Sequence, residues 1–209
     1  MTYAVKEMFL TLQGEGMQAG SRAVFLRFAG CNLWSGLERD RGKAICQFCD
    51  TQFVGTDGVN GGKFREAEAL ADAVASLWGE GSAERLVVCT GGEPLLQLDA
   101  ALIDALHSRG FRIAVESNGT IAAPEGIDWL CISPKAGSEL KQTSGNELKL
   151  VWPQPFDLDR LEALDFDHFL LQPMDGEAVD AATEAAIELV MERPKWRVTL
   201  QTHKVLGLA

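Results

Sequence analysis

Seven short, mainly apolar runs, several with β-branched residues, leave this chain few folds to choose from. They lie at 23–28, 85–89, 112–116, 129–133, 147–152, 168–172 and 196–201. Strands of this kind have no polar face to turn to water, so they belong in a parallel sheet covered on its faces. Between them run amphipathic stretches at 66–78, 96–108, 158–164 and 179–191; in the last, Ala182, Ala186, Leu189 and Val190 share one face and Glu184 and Glu188 the other. Strand and helix in alternation predict right-handed crossovers and an α/β fold with helices outside a mostly parallel sheet. A closed eight-fold barrel takes about 250 residues, whereas this chain has 209 and includes a Gly-rich excursion at 30–63. An incomplete TIM-type barrel of about six βα units, in a single domain over 1–209, is therefore expected.

In such sheets sites form at the C-terminal strand ends. Six polar segments fall there: Gly30-Cys31-Asn32, Thr90-Gly91-Gly92-Glu93-Pro94, Ser117-Asn118-Gly119-Thr120, Ser133-Pro134-Lys135, Gln172-Pro173-Met174-Asp175 and Gln201-Thr202-His203-Lys204. Any one alone is an ordinary turn. Together they predict one active-site mouth.

Five cysteines are present. Cys89 and Cys131 sit in apolar runs and read as small buried hydrophobes. Cys31, Cys46 and Cys49 crowd into the excursion as a CxxC pair with a third thiol upstream, separated from it by fourteen intervening residues. Three thiolates suit zinc or an iron–sulfur cluster with one iron left open, and spacing alone does not choose between them. Zinc needs a fourth ligand, and the three histidines, His107, His168 and His203, are remote in sequence. A redox CxxC would leave Cys31 without a role. The formal net charge of −11 argues against nucleic-acid binding as the main activity. No run of ~18 apolar residues suggests a membrane span, and the first residues lack the layout of a signal peptide, so a cytoplasmic location is the default expectation.

Taken jointly, Cys31, Cys46 and Cys49 with Gly91-Gly92-Glu93-Pro94 resemble the radical S-adenosylmethionine enzymes. More narrowly, the chain resembles the 7-carboxy-7-deazaguanine synthases. That likeness is carried by Leu12-Gln13-Gly14-Glu15-Gly16, Phe28-Ala29-Gly30-Cys31-Asn32-Leu33-Trp34, Cys49-Asp50-Thr51, Glu116-Ser117-Asn118-Gly119-Thr120, Ser133-Pro134-Lys135 and Gln172-Pro173-Met174-Asp175. The chain departs from the usual CxxxCxxC spacing by the insertion at 32–45, which is known within the synthases.

The resemblance implies that Cys31, Cys46 and Cys49 hold a [4Fe–4S] cluster within the loop insertion at 30–63. The open iron would take S-adenosylmethionine, which one electron cleaves to methionine and a 5′-deoxyadenosyl radical. Gly91, Gly92 and Glu93 are then expected at the methionine amine. Ser117, Asn118, Ser133, Pro134 and Lys135 are expected at further cofactor contacts, and Gln172, Pro173, Met174 and Asp175 at the adenine and ribose end. The implied substrate is 6-carboxy-5,6,7,8-tetrahydropterin, bound by Leu12, Gln13, Gly14, Glu15, Gly16, Arg27, Thr90, Glu116 and His203. Gln13 and Glu15 suit the donors and acceptors of a pterin edge, and Arg27 suits a carboxylate.

Glu116 closes an apolar strand, where a carboxylate is costly to bury unpaired. It is expected to bind substrate and serve in proton transfer, or else to pair with a cation such as Lys135. Thr51 is expected to be the protein's ligand to Mg²⁺, and the C-terminal tail to help close the pocket. The product would be 7-carboxy-7-deazaguanine, formed by ring contraction with loss of ammonia in 7-deazapurine biosynthesis. A flavodoxin or ferredoxin as electron donor and a homodimeric state complete the expectation. Two other readings stay open at this point: a radical activase acting on a partner's glycine, and a zinc-stabilised, non-catalytic binding module.

Overall fold

A computed structural model describes residues 2–81 and 83–208. One nine-stranded sheet runs through them, built from β1 (Tyr3–Leu12), β2 (Arg22–Phe28), β3 (Gly62–Phe64), β4 (Leu86–Gly91), β5 (Arg112–Ser117), β6 (Trp129–Ile132), β7 (Ser144–Trp152), β8 (Asp165–Pro173) and β9 (Trp196–Val198). Its order is β3-β1-β2-β4-β5-β6-β7-β8-β9. The seven strands from β2 to β9 are parallel, and β1 pairs antiparallel with both β2 and β3. The five helices are α1 (Ala67–Trp78), α2 (Ala100–His107), α3 (Leu158–Glu162), α4 (Val179–Glu192) and α5 (Thr202–Leu206). None is long and apolar enough to cross a membrane.

The seven expected strands are all present, but three features differ from the sequence reading. The antiparallel edge of β1 and β3 was not foreseen, because β1 alternates buried and partly exposed residues and its antiparallel pairing depends on distant partners. The expected six βα units are four helical crossovers; β5–β6 and β6–β7 are joined by loops. The expected last strand stops at Val198, and the chain then turns into α5.

The sheet is open, with β3 and β9 at its edges. Six strands separate β1 from β9, a span of about 33 Å in a flat sheet. Yet the Thr202 backbone N–H donates to Gly14 O at 2.9 Å, and the Gly16 N–H donates to Thr199 Oγ1 at 2.9 Å. The sheet therefore curls strongly, bringing the segments that follow β1 and β9 together.

Side-chain alternation gives its two faces different chemistry. The convex face carries Leu26, Cys89, Ile113, Val115, Ile132, Leu148, Leu150 and Leu171 against Leu70 and Val74 of α1, Leu102 and Leu106 of α2, and Ala186 of α4. Each such leucine or isoleucine contributes about 1.5–3 kcal/mol when fully buried. The concave face has a smaller apolar cluster of Ala23, Val88 and Ala114 near its base. Above that cluster it is polar.

Candidate active site

A cavity of about 470 Å³ opens at the C-terminal ends of the parallel strands. Residues from all six expected polar segments line it, together with the turn after β1 and the cysteine loop.

The cysteine loop is held from several directions. Gly30 N–H donates to Phe53 O (3.1 Å), and Gly30 O accepts from the Glu93 N–H (3.0 Å). Within the insertion a short 3₁₀ turn, Glu38–Lys43, places Arg41 over the Trp34 ring at 4.2 Å. Arg41 Nη1 also donates to the carbonyls of Gln47 (2.8 Å) and Cys49 (3.1 Å), tying the insertion to the CxxC. Cys31, Cys46 and Cys49 all line the cavity. The Cys46 thiol donates to Cys49, which pulls Cys49 down to about 6 and pushes Cys46 up; burial raises Cys31. Among the described residues, no three Cys, His, Asp or Glu side chains converge on one point as ligands of a single ion would. Three cysteine thiols lining one cavity are the donor type that holds an iron–sulfur cluster.

Opposite the thiols lies an ionic network. Lys149, on the concave face of β7, pairs with Glu15 in the turn after β1 and with Glu116 of β5, the latter at 3.2 Å. Gln13 Nε2 donates to the other Glu116 oxygen at 2.7 Å, and Gln201 Nε2 to the other Glu15 oxygen at 2.8 Å. Burial alone would raise Glu15. The charge and hydrogen bond of Lys149, helped by Gln201, hold it below the ordinary 4.5 of a glutamate. The cation beside Glu116 is thus Lys149. The Lys135 ammonium instead donates to Ser133 O (2.6 Å) and Oγ (2.7 Å), and burial pulls it below its usual range.

Arg27 and Glu7 are cross-strand partners on β2 and β1, joined at 2.9 Å, and both face the cavity beside Phe25. The tail closes the same side. His203 lines the cavity and packs so tightly on Gly14 that a Cβ there would stand 2.1 Å from its Nδ1. Lys204 bridges Asp50 (2.9 Å) and Asp175 (2.6 Å) across the mouth.

Glu93 takes a different place from the one expected. It is 0% exposed, does not line the cavity, and accepts from the Leu95 N–H (3.0 Å), Ser117 Oγ (2.9 Å) and the Asn118 N–H (2.8 Å). Burial raises its carboxyl despite these bonds. It braces the rim, so the cavity sees the backbone of Gly91 and Gly92. Asn118 likewise uses its amide to hold Asn32 of the cysteine loop (2.9 Å). A Cβ on Gly92 would stand 2.1 Å from Gly30 O and 2.7 Å from the Cys31 Cβ. Gly92→Ala is therefore expected to cost about 1–3 kcal/mol by overpacking, read as a lower urea midpoint at constant slope.

Of the other residues expected at the site, Leu12, Gln13, Gly14, Glu15, Arg27, Thr51, Thr90, Glu116, Ser117, Asn118, Ser133, Gln172, Met174 and Asp175 line the cavity, and Gly16, Pro134 and Pro173 do not. Gln172 is 6% exposed, and its Oε1 is buried without a hydrogen-bond partner among the described residues. An orphaned acceptor of that kind is costly and suits a ligand donor. The sequence reading missed Lys149 as a site residue, and it placed Gln201 and Lys204 at the mouth without giving them a role. Lys149 had a readable signal: Glu147 and Lys149, two apart in an otherwise apolar strand, must share a face.

No protein-family model matches the chain. It is 65% identical over 209 residues to a 7-carboxy-7-deazaguanine synthase of Caulobacter vibrioides and 60% identical over 211 residues to one of Burkholderia multivorans, with both chains covered completely in each case. The crystal structure of QueE from Escherichia coli superposes with a TM-score of 0.71 at 27% identity, covering 96% of this chain and 94% of that one. A cavity built this way, on a chain that aligns end to end with such relatives, places the protein in the 7-carboxy-7-deazaguanine synthase family.

Proposed function

We propose that this enzyme converts 6-carboxy-5,6,7,8-tetrahydropterin to 7-carboxy-7-deazaguanine, with ring contraction and loss of ammonia, as a radical S-adenosylmethionine lyase. The observation that carries the reading is that three thiols and the Glu15–Lys149–Glu116 network line one cavity. A [4Fe–4S] cluster on Cys31, Cys46 and Cys49, with S-adenosylmethionine bound, would supply one-electron cleavage of that cofactor and so the radical that starts the reaction.

The chain's own residues bind and orient. Gly91 and Gly92 offer backbone to the methionine end of the cofactor, with Glu93 fixing their conformation from behind. Ser117, Asn118, Ser133 and Lys135 line its path, and the free Gln172 oxygen suits the adenine amine. Gln13, Glu15 and Glu116 present acceptors and a donor to the pterin edge, while Thr90 and His203 flank it. Arg27 is directed to the substrate carboxylate. Glu116 is the group placed to hold or move a proton at a pterin nitrogen. Thr51, at the mouth, is the residue proposed for Mg²⁺, a hard ion that keeps several waters. The 202–204 tail excludes water from the substrate side.

The curl of the open sheet supports reading it as an incomplete barrel in a single domain. Five unpaired cysteines support a reducing, cytoplasmic setting. A flavodoxin or ferredoxin donor and a homodimeric assembly belong to the same proposal.

Anaerobic reconstitution followed by incubation with reductant, S-adenosylmethionine and the pterin tests the function. Both 5′-deoxyadenosine and 7-carboxy-7-deazaguanine are expected. Release of 5′-deoxyadenosine without the deazaguanine would overturn the substrate, and a colourless zinc protein would overturn the reaction class.

A further inference from the structure

Lys149 is a charged residue in the middle of a buried strand, 3% exposed. On its own strand, Leu148 and Leu150 turn to the helices. A β-sheet gains nothing from an ammonium at such a place. Buried ion pairs are weak contributors to stability, and a methionine of similar length would fill the space without a desolvation cost. The position calls for another reason.

That reason is geometric. One Nζ joins carboxylates from two separate elements, Glu15 after β1 and Glu116 on β5. The remaining oxygen of each carboxylate is taken by an amide, Gln13 for Glu116 and Gln201 for Glu15. The amine is thus the hub of five side chains drawn from β1, β5, β7 and the tail, and all five line the cavity. Glu147 lies below, occupied by Trp129 Nε1 and by the Met17 N–H (3.1 Å), and forms no part of the hub.

We propose that Lys149 is a positioning residue that holds the carboxylates of Glu15 and Glu116 in place and aimed into the cavity, so that both meet the substrate's N–H edge. The inference rests on the reading of this cavity as the pterin site. Two carboxylates around one ammonium carry a single net negative charge. Without the ammonium, Glu15 loses the charge and hydrogen bond that hold it down, and it takes up a proton at higher pH. The other titratable groups facing Lys149 are the Cys131 thiol, Glu147 and Lys135, while His203 faces Glu15. None of them lies between the ammonium and its two carboxylates.

The test uses the full-length, reconstituted enzyme and compares the pH dependence of kcat. In Lys149→Met, deazaguanine formation should fall about 100-fold, the scale of a lost acid–base group. The acid limb of the profile should move up by about one pH unit or more. Cluster absorption should stay within about twofold of the parent, since Lys149 pairs with Glu15 and Glu116 and not with the three thiols proposed to hold the cluster. Lys149→Arg should keep the acid limb where the parent has it. If Lys149→Met does not fold, Lys149→Gln, which also removes the charge but can still hydrogen-bond, takes its place; its acid limb should also move up, because Glu15 is again without its cation. A parent-like acid limb in whichever of these two variants folds overturns the proposal. Absence of deazaguanine from the parent enzyme would instead overturn the function itself, and this inference with it.

Discussion

Replacing Cys49 by serine should abolish deazaguanine formation, with activity falling roughly 10⁴-fold or more, because the chemistry belongs to the cofactor and disappears with it. Cys49 is the thiol most ready to ionise, pulled down to about 6 by the Cys46 hydrogen bond, and the thiolate is the form that binds metal. A serine hydroxyl does not ionise near neutral pH and makes a poor replacement ligand. The visible absorption of the anaerobically reconstituted protein should vanish, and the same holds for Cys31→Ser and Cys46→Ser. Cys89→Ser is the control. Its side chain is 0% exposed in the core between sheet and helices. There a hydroxyl without a partner should cost about 1–3 kcal/mol, read as a lower melting temperature, and leave the spectrum intact. If Cys89→Ser removed the absorption while Cys49→Ser kept it, the division of the five cysteines would be wrong.

Much of this architecture was readable before any coordinates. The seven parallel strands announced themselves because a strand buried on both faces must be apolar along its length. Four helices followed from their periodicity, to within a few residues at their ends. Local patterns say little about partners brought together by curvature. Tyr3–Leu12 shows no clear alternation of apolar and polar residues, and nothing within it shows that it will pair antiparallel with both β2 and β3. The tail is similar: Gln201, Thr202 and Lys204 acquire roles only because the sheet curls until they reach Glu15, Gly14 and Asp50.

The site divides in the same way. Residues at strand ends were legible from a rule about α/β sheets. The burial of Glu93 was not legible, since a sequence does not reveal that three donors on the β4 and β5 rims will claim its carboxylate. Cys131 was read as core. It is buried, but it faces the ionic hub and not the helices, a distinction that depends on which side of β6 is concave.

Glu116→Gln is the second large effect expected, with kcat lower by about 10²–10⁴-fold. Glutamine has nearly the same shape, and its oxygen can still accept from Gln13, so the substitution removes charge and basicity more than structure. Its amide N–H₂ would, however, face the Lys149 ammonium now 3.2 Å from the carboxylate, so two donors would meet and Lys149 would keep only Glu15 as a partner. Glu116 is not a cluster residue, so cluster absorption should be unchanged and 5′-deoxyadenosine should still form. The loss should therefore fall on product made per cofactor cleaved, and this ratio is the quantity to measure alongside kcat. Glu116→Asp keeps the charge but withdraws it by one methylene from Gln13 and Lys149, and it should retain more activity than glutamine if basicity is what counts. A product-to-cleavage ratio within about threefold of the parent in Glu116→Gln, less than ~0.7 kcal/mol of transition-state stabilisation, would remove Glu116 from proton transfer. Its place would then be only to hold Gln13 and Lys149, and the cavity's acid–base chemistry would have to come from Glu15 or His203.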